Sequence, residues 1–196
     1  MSITPSLGEK TIFQGTLNII TTDSIMNTYR PPGCHIELPK YPSGVGFVFI
    51  CPGRYEEKHG RPCAGQTGVM LEAALPLLFA KRPQIFPSPE RDHYLITNAW
   101  PTVEYQGKTM RSVPLKADII SEQNIERLYH EIKELQYIVA CGKLAHLALD
   151  LCRQNFPLQA AVAKAAHTSR QALGCPTKAN LPSRLDQWAE SVVQQF

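Results

Sequence analysis

The sequence has no paired cysteines. Cys34, Cys51, Cys63, Cys141, Cys152 and Cys175 include no Cys-x-x-Cys, which argues against ribbon-type zinc sites and thioredoxin-type redox motifs. It also lacks any apolar run near the ~20 residues that span a bilayer. The opening residues, MSITPSLGEK, have no basic stretch leading into an apolar one, so no leader is read and a cytoplasmic location is expected. A disulfide framework is not expected in that setting; the cysteines read as reduced, mostly buried small hydrophobes. An iron–sulfur cluster would need four convergent thiolates, and no local spacing requires them. Charge of one sign is scarce: 20 Lys and Arg stand against 17 Asp and Glu, a net +3. That balance is compatible with nucleic acid but does not argue for it. Neither Gly-x-Gly-x-x-Gly nor the P-loop pattern occurs, which disfavours the common nucleotide phosphate cradles. Repeats and low-complexity tracts are absent as well.

What is present is ordinary for a globular chain: 196 residues, 43% hydrophobic and 19% charged, enough for one domain with a buried core. Residues 1–43 carry the breakers Pro31, Pro32, Gly33, Pro39 and Pro42. They read as a wrapping segment, with a helix near residues 22–29. Residues 44–196 read as the domain proper. Its first strand is the aromatic and β-branched run at 46–51. A Gly- and Pro-rich loop, 52–68, leads to an almost wholly apolar helix at 69–75, which Pro76 should kink or end. Residues 93–97 form a second strand ending at Asn98, and 101–116 a polar loop. Ser121 caps a helix with Ile125, Leu128, Ile132 and Leu135 on one face. Residues 137–141 form a third strand, and Gly142 turns directly into a helix. Residues 161–166 read as a fourth strand or as helix. A closing helix from Ser183, with Asp186 as a capping-box relative, buries Leu185, Trp188 and Val192.

Strands alternating with helices predict an α/β fold: one three-layer α/β/α domain on a short, mostly parallel, four-stranded sheet. Ligands of such sheets sit beyond the carboxyl ends of the strands. Three of those ends carry unusual residues: Cys51-Pro52-Gly53, Asn98 and, if the fourth strand is real, His167.

The chain reads Phe49-Ile50-Cys51-Pro52-Gly53-Arg54-Tyr55-Glu56, then Gly60-Arg61-Pro62-Cys63-Ala64-Gly65, then Gly68-Val69-Met70-Leu71. Ile96-Thr97-Asn98, Cys141-Gly142-Lys143-Leu144-Ala145 and His167-Thr168-Ser169 follow in order. In these motifs the sequence resembles the uracil-DNA glycosylase superfamily, and in spacing its family 4 branch, over roughly residues 44–175. The counterparts in that branch are Gly-Glu-Ala-Pro-Gly-x-x-Glu, Gly-x-Pro-Phe-Val-Gly, Gly-x-Leu-Leu, Ile-Thr-Asn, Leu-Gly-x-x-Ala and His-Pro-Ser. Two departures stand out. The family's first-motif carboxylate falls at Ile50, and its base-stacking phenylalanine at Cys63. The N-terminal Cys-x-x-Cys of the cluster-bearing branch is also missing, so no cofactor and no metal are expected.

The resemblance implies a monomeric, monofunctional DNA glycosylase that flips a base from DNA and hydrolyses its N-glycosidic bond. It places His167 as donor to the leaving base. Asn98 offers an amide donor and acceptor that suit a pyrimidine edge. The Cys51-Pro52-Gly53 turn offers backbone N–H groups, and Tyr55 is a candidate to stack on the base. Glu56 and Glu57 are the nearest carboxylates to activate water or stabilise the sugar cation. Gly142 and Lys143 at a helix start, with Ser169 and Arg170, suit phosphate, and Leu173 suits a wedge in the vacated stack. The base stays open between uracil or another deaminated base and a bulky C5-modified pyrimidine, as in antiviral glycosylases acting on hypermodified phage DNA. A catalytically silent nucleic-acid reader and an unrelated α/β binding module are the other readings.

Overall fold

The structure, a computed structural model, describes residues 33–174 and 180–196, all within one unit, Pro32–Phe196. The helix expected at 22–29 and Cys175 lie outside the described residues. The strands are β1 (Ile36–Glu37), β2 (Val45–Phe49), β3 (Leu95–Asn98), β4 (Tyr137–Cys141) and β5 (Ala161–Ala165). The helices are α1 (Arg54–His59), α2 (Gln66–Lys81), α3 (Gln106–Thr109), α4 (Lys116–Ile119), α5 (Glu122–Ile132), α6 (Lys143–Asn155) and α7 (Leu181–Val193). Strand order across the sheet is β1-β3-β2-β4-β5. β3, β2, β4 and β5 run parallel, and β1 is antiparallel to β3.

The alternation of side chains along each strand divides the core into two layers. Val45, Phe47 and Phe49 of β2 and Val139 and Cys141 of β4 face α2 and α7, where Leu71, Leu75, Leu78, Leu185 and Trp188 are buried. Val48, Ile138 and Ala140 face α5 and α6, against Ile125, Leu128, Ile132, Ala148 and Leu149. The result is the expected three-layer α/β/α fold. Residues 161–165 are strand, since pairing with β4 decides what composition left open. No helix among the described residues is long and apolar enough to cross a membrane.

Several details differ from the sequence expectation, among them the short helices α1 and α3 inside stretches read as loops and the longer span of α2. The sheet has five strands rather than four, because the two-residue β1, from the segment read as wrapping, joins its edge. Buried Arg91 ion-pairs with Glu37 (2.5 Å), and Asn98 Nδ2 donates to the His35 carbonyl at 3.1 Å. These tertiary bonds outweigh the absence of any strand pattern. Helix α2 runs through Pro76, which lies on an exposed face, so water can reach the backbone group that lost its intrahelical partner. Helix α7 begins at Leu181, ahead of Ser183, with Pro182 in its first turn, where the missing proline N–H costs nothing.

Candidate active site

β2 connects through α2 on one face of the sheet, whereas β4 connects through α6 on the other. A crevice therefore opens beyond the carboxyl ends of these neighbours. A cleft of about 520 Å³ lies there, and Ile50, Cys51, Gly53, Glu56, Cys63, Asn98, His167 and Ser169 all line it. Gly142 does not line the cleft but packs behind two residues that do, Ile50 and His167. Its φ of +100° suits glycine, and a Cβ there would stand 3.2 Å from Ile50 Cδ1 and 3.5 Å from His167 Cβ. Gly68 permits another close approach: a Cβ on it would fall 1.7 Å from the Cys63 carbonyl oxygen. That contact seats the start of α2 under the loop carrying Cys63.

His167 stands edge-on to Phe49, with ring centroids 5.7 Å apart. The Ser169 N–H donates to His167 Nδ1 at 3.1 Å. A ring nitrogen that accepts carries no proton, so the neutral tautomer holds its hydrogen on Nε2. Burial pushes the imidazole pKa down, and the charge of Glu56 opposes this only in part. His167 is thus a neutral donor at pH 7.

Asn98 is 2% exposed. One amide hydrogen goes to the His35 carbonyl, and its own backbone carbonyl accepts from Arg127 at 3.0 Å. His35 in turn bonds Glu131 at 3.0 Å. This network fixes the amide orientation. Asn98 Oδ1 has no hydrogen-bond partner among the described residues.

The two neighbouring glutamates sit differently. Glu56 accepts from the backbone N–H groups of Gly53 (3.0 Å), Ala64 (3.0 Å) and Gly65 (3.3 Å), clasping the turn after β2 to the Cys63 loop. Glu57 is exposed and bonds Lys108 and the Tyr105 hydroxyl. The bond from Lys108, then that from Tyr105, holds its carboxyl below the usual range. Glu57 does not line the cleft. Glu56→Gln is therefore expected to lower stability by about 1–3 kcal/mol, because an amide turns an N–H toward a backbone donor that has lost its acceptor. Glu57→Gln should leave the melting temperature unchanged. A thermal melt of each variant checks this.

The other sequence candidates flank the cleft. Pro52 is buried, and its carbonyl accepts from the Glu104 N–H at 2.9 Å. Tyr55 is exposed and covers Gly65. Lys143 is exposed in the first turn of α6. Arg170 is half-buried, with its Nε shielded and unbonded among the described residues. Leu173 is 8% exposed and packs in the core, so a wedge role requires the 169–174 turn to open. Burial pushes the Cys51 thiol up to about 12 and raises those of Cys63 and Cys141, the reverse of what a thiolate ligand needs. No cluster of three His, Cys, Asp or Glu suited to a metal occurs among the described residues.

Sequence reasoning missed Phe49, Thr67, Glu104, Ser112, Val113 and Gln171, which complete the lining. Glu104 is the most consequential, being 3% exposed and ion-paired with Arg111 at 3.0 Å. Burial raises its pKa, but hydrogen bonds from Thr109 and Arg111 and the Arg111 charge outweigh that, and the carboxyl titrates below the usual range. No local pattern marks it, because a tertiary bond to Pro52 carries it inward.

The neutral His167 imidazole and the fixed Asn98 amide are thus gathered beyond the strand ends of a mostly parallel sheet in a small α/β domain. The sequence matches the family model described as the Uracil DNA glycosylase superfamily over residues 39–188, and the chain belongs to that superfamily, which generally comprises DNA glycosylases. No curated protein matches the sequence.

Proposed function

We propose that the protein is a monofunctional DNA glycosylase that takes a modified or damaged base into the cleft and hydrolyses its bond to the sugar. The observation that carries this reading is the Ser169 N–H bond to His167 Nδ1, which leaves Nε2–H as the donor. Breaking the C1′–N bond sends its electron pair to the base and leaves positive charge on the sugar. A fixed donor to the base oxygen stabilises that developing anion. Water then bonds to C1′, and the proton it loses balances the charge on the released base. The products are an abasic site and the free base. Asn98 reads the base edge, the Gly53 turn lies beside it, and Lys143, Ser169 and Arg170 hold phosphate. The protein acts as a monomer and needs no cofactor.

Two substrates fit this chemistry: uracil or another deaminated base, and a bulky C5-modified pyrimidine such as glucosylated 5-hydroxymethylcytosine in phage DNA. The cleft volume of about 520 Å³ and the absence of a side chain at Gly53 favour the second, which would make the role antiviral rather than repair. Duplexes carrying single uracil, hypoxanthine, 5-hydroxymethylcytosine or its glucosylated form, assayed for abasic sites, test the proposal. Release of one free base with an intact strand is expected. Tight binding to such duplexes without release would instead identify a silent reader, the reading that Ile50 favours.

A further inference from the structure

A transition state with positive charge on the sugar calls for a fixed negative charge beside it. Two carboxylates line the cleft, Glu56 and Glu104. Glu56 is spent on three backbone N–H groups. Glu104 takes a side-on ion pair from Arg111, whose Nη2 reaches Oε1 at 3.0 Å and Nε reaches Oε2 at 3.4 Å, beside the side-chain bonds from Thr109 and Trp100 that help hold it ionised. The two charges of this pair are also unequally placed, since the Glu104 side chain is 2% exposed and the Arg111 side chain 35%. Solvent screens the guanidinium, whereas the carboxylate acts in a desolvated setting where its field is strongest. The Glu104 N–H bond to the Pro52 carbonyl at 2.9 Å pins it beside the turn after β2. At the end of that strand the cleft wall is the apolar Ile50.

We propose that Glu104 is the catalytic carboxylate of this site, supplied by the loop between β3 and α3 and facing the sugar as the C1′–N bond breaks. Its charge favours the cation, and Glu104 ends the reaction unchanged. Arg111 is a positioning residue that holds the carboxylate in place. This inference rests on the glycosylase reading, and its test does not require the natural base to be known.

The probes are three duplexes of one sequence. One carries a pyrrolidine abasic analogue, protonated and so cationic like the reacting sugar. The second carries the neutral tetrahydrofuran analogue, and the third is unmodified. Wild-type protein should bind the pyrrolidine duplex at least tenfold more tightly than the tetrahydrofuran duplex. Glu104→Gln should erase that preference with tetrahydrofuran affinity unchanged. The double variant Glu104→Gln/Arg111→Gln, which leaves no unpaired guanidinium, should erase it equally. A preference that persists in either variant overturns the role of Glu104, as does a wild type that binds both analogues equally but better than unmodified duplex. A wild type that prefers neither analogue to unmodified duplex overturns the glycosylase reading itself.

Discussion

His167→Ala is expected to slow single-turnover base release about 10²–10³-fold, equivalent to the ~2.7–4 kcal/mol typical of a lost oxyanion donor. Duplex affinity should change little, because the Nε2–H bond strengthens only as charge moves onto the base. The variant isolates this effect better than a change at Asn98 would. Removing the Asn98 amide also strips the His35 carbonyl of a buried donor, which costs about 1–3 kcal/mol of stability. Asn98→Ala would thus mix recognition with folding. His167 has one polar bond among the described residues, from the N–H of half-buried Ser169, and water can replace that acceptor. An alanine variant with the wild-type single-turnover rate on the true substrate would remove histidine from the chemistry.

The same environment sets a pH dependence. Burial holds the folded-state pKa of His167 below its unfolded value, which is ~6.5. As pH falls below ~6.5, the unfolded chain takes up a proton that the folded chain resists. The stability gained by keeping His167 neutral is therefore complete above ~6.5 and is lost as pH falls through the lowered folded pKa. Protonation would also turn Nδ1 into a donor facing the Ser169 N–H. Between pH 7 and pH 5 the wild type should lose more melting temperature than His167→Ala. Parallel loss in the two proteins would contradict a buried neutral imidazole.

The sequence shows most where local pattern decides structure. β4 and α6 are readable because an apolar run, a Gly142 with φ of +100° and a helical stripe follow one another without a gap. The gathering of Ile50, Gly53, Cys63, Asn98 and His167 at one cleft follows from parallel strands delivering their ends to one edge. β1 is not readable, because two residues carry no periodicity and their place is set by Arg91, a residue 54 positions from Glu37. Leu173 shows a different limit. An apolar residue after the histidine motif has the same one-letter signature whether it fills a core or a base stack, and only burial distinguishes the two. Glu56 and Glu57 are adjacent in sequence, yet one clasps two loops and the other faces solvent with Lys108. Helical geometry turns neighbours about 100° apart, so adjacency predicts little about a shared role.

Narrowing the cleft should separate the two candidate substrates, and Gly53 is the better place to do it. Its φ of −113° is extended backbone that any residue adopts. A Cβ there meets only Glu56 Oε2, at 3.1 Å, so a small adjustment of that side chain admits it. Cys63 is less accommodating. It is buried in the core with a left-handed φ of +49°, so Cys63→Phe must carry its ring into the cleft from a strained backbone and should cost stability. Gly53→Tyr is expected to lower excision of glucosylated 5-hydroxymethylcytosine by on the order of 10²-fold, the upper range of discrimination by pocket sterics. Excision of plain uracil should be kept or improved, since a ring beside the base adds stacking worth ~1–3 kcal/mol. The decisive quantity is the ratio of single-turnover rates on matched duplexes that differ only in the target base. If Gly53→Tyr leaves that ratio unchanged while folding normally, position 53 does not border the C5 face, and the case for a bulky substrate loses its steric basis. If the ratio falls and Cys63→Phe lowers it further, both residues border the substituent.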